Sequence, residues 1–354
     1  MAHELPKRSE AQVLHGLVRY PLLTDKELAS KLSMKSPTVT AIRRKLVERG
    51  VLRSVEIPDF AALGCEVLVV SLGSLVSYPS LDERLSSVSD LLENEEIVFA
   101  FMEPGQDFII QISPDYTRAM LNIMSIEERY QSQGFVEEPV KVMAFPLRAS
   151  EVCRYFNFTP LLDVLFERKE SEETRRTHFR GRSLKLGRKE SLVLASLVER
   201  PDASDTEHSS RLDISRMTVG RARRKFRDKG IVERIRLPDL SKIGVKLIVV
   251  TSARFHPRFS ATRKYNLPRI MKLLGPAFFC VYDSRKIVAV SAFKGFEDYK
   301  RRFHELSEAY KEYEYFWAAP QRLLFSLEHS SVVKDHEYGP LVRKLLAIGP
   351  DDGS

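Results

Sequence analysis

Several features that are common in other classes of protein are scarce or missing in this chain of 354 residues. No stretch approaches the roughly 18 apolar residues of a membrane-spanning helix, and the first residues lack the apolar core of a secretory signal. The three cysteines, Cys65, Cys153 and Cys280, form no Cys-x-x-Cys motif, and Cys65 and Cys280 lie within apolar strand-like runs. The sequence therefore predicts a cytoplasmic protein whose cysteines are buried free thiols.

Motifs for the commoner catalytic chemistries are also missing. We find no glycine-rich phosphate loop, no paired metal ligands and no Ser/His/Asp spacing. The carboxylate pairs along the predicted helices are typical of solvated helix faces. The sequence predicts a protein that is not an enzyme and that holds neither a metal nor another cofactor.

The chain contains one long internal repeat. Residues 10–71 align without a gap to residues 190–251, at an offset of 180 positions, and 21 of the 62 pairs are identical. The identical pairs include Asp25/Asp205, Arg43-Arg44-Lys45/Arg223-Arg224-Lys225, Gly50/Gly230 and Gly64/Gly244. Because the repeat is far longer than a solenoid unit, it predicts a duplicated module of several elements.

Positive charge is concentrated in three segments of the chain. The net charge is +8, yet segment 34–56 has six Lys or Arg against two acids, segment 214–236 has nine against two, and segment 175–189 has seven against none. Concentrated basic charge indicates a polyanionic partner. When charge is considered alone, basic but merely solvated helix faces are the alternative.

The first part of each module is predicted to contain three helices. Helix one covers about 9–20, where the apolar residues recur at helical spacing. Helix two opens with a capping box, Thr24 to Glu27, which the second copy repeats as Ser204 to Glu207. These signals predict that both copies share the same helical start.

Helix three and the residues after it complete the unit. Ser36 is the expected N-cap, Pro37 occupies the first helical position, and Gly50 ends the helix. Residues 51–58 alternate like a short two-stranded wing. Two short helices in tandem, followed by such a wing, predict a winged helix-turn-helix whose second helix fits the DNA major groove.

Both copies of helix three present basic and hydroxyl side chains away from the buried face, which predicts binding to double-stranded DNA. Base contacts are expected from the first turns, and phosphate contacts from the basic residues that follow. The predicted DNA-binding residues are Ser36, Thr38, Thr40, Ala41, Arg43, Arg44, Lys45 and Arg53 in the first copy, and Arg216, Thr218, Gly220, Arg221, Arg223, Arg224, Lys225 and Arg234 in the second. Because the two sets differ, we expect two unlike half-sites.

The second part of each module is predicted to fold as βαββαβ. The first copy has expected strands at 65–71, 97–102, 108–112 and 140–147, and expected helices at 81–92 and 116–124. A short extra helix, near 160–167 and again near 340–347, closes each module. This order is that of a ferredoxin-like antiparallel sheet with both helices on one face. The predicted fold class is α+β, with two winged helix-turn-helix domains each followed by a ferredoxin-like domain.

Five segments follow from this organisation. The predicted boundaries are 9–60 for the first winged helix-turn-helix, 61–167 for the first ferredoxin-like domain, 168–188 for a basic linker, 189–240 for the second winged helix-turn-helix and 241–347 for the second ferredoxin-like domain.

The segment from Leu32 to Leu52 resembles the recognition helix and wing start of the Lrp/AsnC family of transcription regulators, as does the placement of Gly64 before the first sheet strand. The βαββαβ order is similar to the effector-binding and oligomerising domain of that family. The resemblance implies a sequence-specific DNA-binding regulator. Since family members usually have one module and dimerise, two fused modules imply an internal pseudo-dimer. Further assembly of whole chains stays open.

The resemblance also implies a small-molecule effector such as an amino acid. Family members often bind one near the hairpin between the second and third sheet strands, where a Gly-x-x-Asp pattern occurs. Gly105 and Asp107 form a similar pattern that is one residue shorter, and the second copy lacks the glycine. An ordinary tight turn is the alternative interpretation.

Two other functions remain open. Sirohaem decarboxylases resemble Lrp/AsnC regulators in fold, but such a tetrapyrrole enzyme would be expected to cluster His and Arg in the sheet domain. The eight His residues are instead scattered along the chain. An architectural DNA-binding protein would bind in a salt-sensitive way without sequence preference.

Overall fold

The structure is a computed structural model that describes residues 7–76, 80, 82–83, 86, 89, 93–136, 138–168, 179, 184–257, 275–313 and 316–349. The helices within these ranges are α1 (Arg8–Arg19), α2 (Asp25–Leu32), α3 (Ser36–Glu48), α4 (Tyr116–Ser132), α5 (Thr159–Leu165), α6 (Arg188–Glu199), α7 (Asp205–Leu212), α8 (Arg216–Asp228), α9 (Phe296–Tyr313) and α10 (Gly339–Leu345). The strands are β1 (Leu52–Pro58), β2 (Val67–Ser74), β3 (Ile97–Glu103), β4 (Gln106–Ser113), β5 (Lys141–Pro146), β6 (Glu151–Arg154), β7 (Val232–Pro238), β8 (Leu247–Arg254), β9 (Ala277–Tyr282), β10 (Lys286–Phe293), β11 (Gln321–Ser326) and β12 (Ser331–Asp335).

The element bounds recur at the offset found in the sequence. The pairs α3 and α8, β2 and β8, and α5 and α10 each begin 180 positions apart. Left-handed backbone at non-glycine residues recurs at the same offset, in the pairs Ser33/Asp213, Phe156/His336 and Glu167/Ala347. The last two pairs lie outside the aligned segment 10–71, so the repetition of backbone geometry extends beyond the repetition of sequence.

The chain forms two compact units, and each combines segments from both halves. The first unit comprises Met1–Arg53, Ser150–His178 and Ile235–Glu328, and the second comprises Ser54–Ala149, Phe179–Arg234 and His329–Ser354. The first unit thus contains α1–α3 with the sheet of the second half, and the second unit contains α6–α8 with the sheet of the first half. The predicted boundaries, which keep each module contiguous, stay a prediction.

The sheet of the first unit has five strands in the order β11-β8-β10-β9-β6, with antiparallel neighbours. Four of them follow the ferredoxin-like order predicted for the second half. The fifth, β6, comes from the first half, and the buried Arg154 at its end donates hydrogen bonds from Nη1 to the carbonyls of Gly275 and Ala277, at 2.9 and 2.8 Å.

The sheet of the second unit is built in the same way. Its order is β12-β3-β4-β2-β5, and β12 from the second half pairs antiparallel with β3 of the first. Lys334, the residue equivalent to Arg154, is also buried and donates from Nζ to the carbonyl of Asn94 at 2.7 Å. Each sheet therefore accepts one strand from the other half, and a buried cation with carbonyl acceptors lies on that strand. The sequence analysis did not predict β6 or β12.

The strands after α3 and α8 pair with each other in a two-stranded sheet, β1-β7. In the second unit the Asp59 N–H donates to the Ile231 carbonyl at 2.8 Å, and in the first unit the Asp239 N–H donates to the Val51 carbonyl at 2.9 Å. The prediction placed both strands of a wing within one copy. The structure instead has one strand per copy, because residues 52–58 run on without a turn.

The predicted helix starts are confirmed at the second helix of each copy. Thr24 and Ser204 accept from the N–H of Glu27 and Glu207, whose side chains return the bond in complete capping boxes. The prediction of Ser36 as N-cap is wrong by one position. The N-cap of α3 is Lys35 without a side-chain cap, whereas in α8 the N-cap Ser215 accepts from the Thr218 N–H.

The three cysteines are free and buried, as predicted. Burial raises the pKa of the Cys65 thiol to about 12, so it is protonated and a poor nucleophile at neutral pH. Within the described residues no helix is both long and apolar enough to span a membrane. The helix predicted at 81–92 lies largely outside the described residues, as does most of the predicted linker.

Candidate nucleic-acid interface

The recognition helices α3 and α8 each bury one apolar stripe against their own helical unit. Val39 and Leu46 are buried on α3, and Val219, Ala222 and Phe226 are buried on α8. The helical period then directs the intervening positions outwards. What those outward positions can reach depends on the acidic residues of the two preceding helices.

The first arginine of each Arg-Arg-Lys run is held by the helix before it. Arg43 Nε lies 3.1 Å from Asp25 Oδ1 in the first unit, and Arg223 Nε lies 2.7 Å from Asp205 Oδ1 in the second. Burial lowers the pKa of Arg223. The two arginines thus connect α3 to α2 and α8 to α7 through the same contact, with the Arg43 side chain 42% exposed and the Arg223 side chain 13% exposed.

The lysine of each run is held by the first helix of its unit. Lys45 Nζ lies 2.6 Å from Glu10 Oε1, and Lys225 donates to Glu190 in the equivalent contact. The hydrogen bonds from these lysines are the main reason why the pKa values of Glu10 and Glu190 are lowered. The phosphate contacts predicted for Lys45 and Lys225 compete with these ion pairs.

The middle arginine of each run points to solvent. The side chain of Arg44 is 77% exposed, and its nearest acid is Glu48 on the same helix at 3.6 Å. Arg224 is exposed on α8 and donates only a long 3.4 Å hydrogen bond to the Gly220 carbonyl of its own helix. Of the three repeated basic residues, this one alone extends outwards in both copies.

Two residues predicted to contact bases face the preceding helix instead. Thr40 Oγ1 donates to Asp25 Oδ2 at 2.7 Å. At the equivalent position, a Cβ added to Gly220 would lie 3.0 Å from Asp205 Oδ2. The glycine is therefore explained by close packing on Asp205, and close approach to DNA is not needed to explain it.

The remaining first-turn residues differ between the two helices. Thr38 and Ala41 are exposed on α3 and Ser36 is half-buried, whereas Arg216 and Arg221 are exposed on α8. Thr218 is half-buried, with its Oγ1 2.9 Å from Ser215 Oγ.

Met217 was not predicted, yet it is 74% exposed in the first turn of α8. Its exposure could have been predicted from the helical phase, since Met217 aligns with Pro37, which lies on the outward face of α3.

Of the two strand residues predicted to contact phosphates, Arg53 is exposed and Arg234 is not. The Arg234 side chain is 15% exposed, and its Nε donates at 2.9 Å to Glu56, which is 1% exposed. It also donates to the carbonyl of Pro201. This placement favours a structural role for Arg234, which the sequence could not show because Glu56 belongs to the other copy.

Asp107, predicted to bind an effector with Gly105, is buried in the sheet of the second unit. Its Oδ1 accepts from the Gly73 N–H at 2.9 Å and its Oδ2 accepts from the Tyr130 hydroxyl at 3.1 Å. A Cβ added to Gly73 would lie 2.5 Å from Oδ1, whereas one at Gly105 would meet nothing closer than 4.0 Å. Asp107 therefore stabilises the sheet internally.

Metal binding has no support among the described residues, where no group of three or more His, Cys, Asp or Glu side chains could hold an ion. The histidines there have other contacts. His15 Nε2 lies 2.6 Å from Asp163, His208 Nδ1 lies 2.7 Å from Ser196, and His256 stacks on Trp317.

Comparison with other proteins places this fold. No family model matches the chain, and no curated protein is similar to it in sequence. The crystal structure of the siroheme decarboxylase NirDL is 14% identical, covers 96% of this chain and 98% of that one, and has a TM-score of 0.51. Its complex with an iron-uroporphyrin III analogue is 13% identical, covers 95% and 98%, and has a TM-score of 0.52. AsnC from E. coli is 11% identical, covers 40% of this chain and 93% of that one, and has a TM-score of 0.32.

The whole-length likeness shows the α+β fold of winged helix-turn-helix plus ferredoxin-like modules. It also contradicts the prediction that this protein is not an enzyme, because the structures that match almost the whole chain are those of a decarboxylase. That prediction relied on missing motifs. A fold of this kind carries different sites without a common motif, so the absence of a motif does not exclude catalysis.

Proposed function

We propose that this chain is a sequence-specific DNA-binding transcription regulator, in which α3 and α8 read two unlike half-sites. The observation that carries the proposal is that the three residues of the Arg-Arg-Lys run are placed in the same way in both copies. In both copies the outer two residues are tied to acids of the same unit, and the middle residue, Arg44 or Arg224, extends to solvent. An exposed arginine on a recognition helix can form the bidentate contact to guanine that gives sequence preference.

The differences between the helices support unlike half-sites. The first turn of α3 offers Thr38 and Ala41, which suit thymine methyl groups, whereas α8 offers Arg216 and Arg221. Met217 adds an exposed apolar side chain to the second helix alone. We therefore expect a half-site for α8 that is richer in guanine.

The exchange of β6 and β12 supports an internal pseudo-dimer. Each unit combines the helix-turn-helix of one half with the sheet of the other, and each sheet accepts a strand from the half that supplies that helix-turn-helix. One chain thereby contains two equivalent DNA-reading units. An amino-acid effector at Gly105 and Asp107 is not part of the proposal, because the Asp107 carboxylate is already bonded to Gly73 and Tyr130.

Selection of bound duplexes from a random library, at two salt concentrations, tests the proposal. We expect a bipartite motif, and we expect Arg44→Ala and Arg224→Ala to relax different halves of it, each weakening binding about tenfold. Arg301→Ala is the matched control, since it removes an arginine whose side chain is 75% exposed from α9, a helix that belongs to neither helix-turn-helix. Salt-sensitive binding without a motif would indicate an architectural protein, and no binding would contradict the proposal.

A tetrapyrrole enzyme is the second candidate, and the whole-length likeness to siroheme decarboxylase favours it. Titration of the purified chain with iron-uroporphyrin III, followed by absorption spectroscopy, separates the two candidates. A saturable change in the Soret band together with release of carbon dioxide would favour the enzyme. An unchanged spectrum together with an enriched DNA motif would favour the regulator.

A further inference from the structure

The second helix-turn-helix has a pocket lined by residues of α7 and of the turn before it. The pocket has a volume of about 440 Å³, and its charged and polar lining is Arg200, Thr206, Glu207, His208, Ser210 and Arg211. This volume lies within the range of about 300–1,000 Å³ that is usual for small-molecule sites. All of these residues belong to the second unit.

The first copy has different residues at the positions that carry positive charge in this pocket. At the place of Arg200 it has Tyr20, whose ring is covered by Lys31, with Nζ 4.2 Å from the ring centroid. Lys31 is the equivalent of Arg211. The second copy thus has two guanidinium groups at the positions where the first has a tyrosine ring and a lysine.

The contact that His208 makes with α6 is polar, whereas the equivalent contact in the first copy is apolar. The first copy packs Leu28 on Gly16, so closely that a Cβ on the glycine would lie 2.9 Å from a leucine methyl group. The second copy has His208 and Ser196 at these positions, with Nδ1 2.7 Å from the serine hydroxyl. The second copy therefore has a hydrogen bond between His208 and Ser196 where the first has an apolar contact between Leu28 and Gly16.

His208 has an unused hydrogen-bonding atom. The residue is 1% exposed, and its Nε2 has no partner among the described residues. Burial, followed by the nearby Arg223 guanidinium, lowers the pKa of His208, so the ring is neutral at pH 7. When the Ser196 hydroxyl donates to Nδ1, the ring proton is on Nε2, and a buried donor without an acceptor is unfavourable.

We propose that this pocket binds a phosphate group. The Arg200 guanidinium supplies charge together with Arg211, whose Nη2 lies 3.3 Å from Glu199 Oε2 and would be shared with the anion. The hydroxyls of Thr206 and Ser210 add donors, and the buried His208 Nε2–H gains an acceptor. Several donors around one tetrahedral anion suit phosphate. The single carboxylate in the lining, Glu207, is turned to the start of α7, where it accepts from the Ser204 N–H at 2.7 Å.

The phosphate has two sources, a free phosphate compound or the DNA backbone. Only the second rests on the proposed function. A free phosphate compound would act next to Arg223, the residue that fastens α8 to α7 through Asp205. The pocket then offers a ligand-dependent control of α8.

Titration of the full chain with inorganic phosphate, without DNA, tests the first source. The imidazole resonances of His208 are followed by NMR and compared with sodium chloride at equal ionic strength. We expect a saturable shift with phosphate alone, and an affinity at least tenfold weaker in Arg200→Tyr, which restores the residue of the first copy. Tyr20→Arg in the first copy is the matched control and should leave the response of His208 unchanged.

The same variants in a DNA-binding assay test the second source. If DNA moves the His208 resonances and Arg200→Tyr lowers the slope of log affinity against log salt by about one, while free phosphate has no effect, the group bound is a backbone phosphate. If neither phosphate nor DNA moves these resonances and Arg200→Tyr changes neither affinity, the proposal is overturned. Failure of DNA binding in the unmodified chain leaves the phosphate titration valid, so the two proposals fail separately.

Discussion

Arg234→Ala is expected to lower the free energy of unfolding by about 3 kcal/mol, which is typical of breaking a buried ion pair. The reason is Glu56, which is 1% exposed and receives the Arg234 Nε at 2.9 Å. Arg227 remains at 3.4 Å, so the loss lies at the lower end of the range for an uncompensated charge. Urea denaturation followed by circular dichroism measures it.

Two controls make this result specific. Arg224→Ala removes the same charge from the same helix-turn-helix at an exposed position, and should change stability by less than about 0.5 kcal/mol. The double variant Glu56→Gln, Arg234→Ala removes the buried charge along with its partner and should recover part of the loss. If Arg234→Ala unfolds like the unmodified chain but binds DNA with a smaller salt slope, Arg234 is the phosphate contact that the sequence predicted.

The contrast between Arg224 and Arg234 shows what the sequence could reveal. Both are basic residues in a basic segment, and helical phase alone placed Arg224 on the outer face. The partner of Arg234 lies 178 positions away on a strand of the other copy, and no local pattern shows such a pairing. The same is true of Lys45 and Lys225, whose partners lie 35 positions earlier.

Local sequence signals predicted the bounds of helices and strands well where nearby side chains determine them. The capping boxes at Thr24 and Ser204 marked helix starts, and apolar runs marked β2, β3 and β4 to within three residues. The exchanged strands β6 and β12 have four and five residues, too few for a period to stand out. Their place depends on contacts of Arg154 and Lys334 with carbonyls more than 100 positions away.

The prediction about enzymes failed for a different reason. Motif searches find chemistry that is concentrated in a short segment, such as a glycine loop or two nearby ligands. In this fold the sheet residues come from both halves of the chain, as Arg154 and Lys334 show. A site assembled in that way would have no local signature, and so a chain with this architecture has to be tested for catalysis directly.

Asp163→Ala is expected to destabilise the first unit by about 3 kcal/mol. Asp163 Oδ1 lies 2.6 Å from His15 Nε2, and the two side chains are 2% and 5% exposed. The bond connects α1 of the helix-turn-helix to α5, and Arg168 lies 3.4 Å from the other ring nitrogen. Removing the carboxylate leaves a buried imidazole without its partner, and water cannot replace it cheaply.

The second unit supplies the matched comparison for this prediction. There the equivalent helices α6 and α10 are joined by Glu199 and Arg343, whose side chains are 19% and 20% exposed. Arg343→Ala should cost only about 1 kcal/mol, because solvent reaches the group left behind. The double variant His15→Ala, Asp163→Ala should show a coupling of about 1–3 kcal/mol between the two positions. Equal losses for Asp163→Ala and Arg343→Ala would mean that burial does not set the strength of these contacts. The contact between α1 and α5 would then be as strong as the contact between α6 and α10.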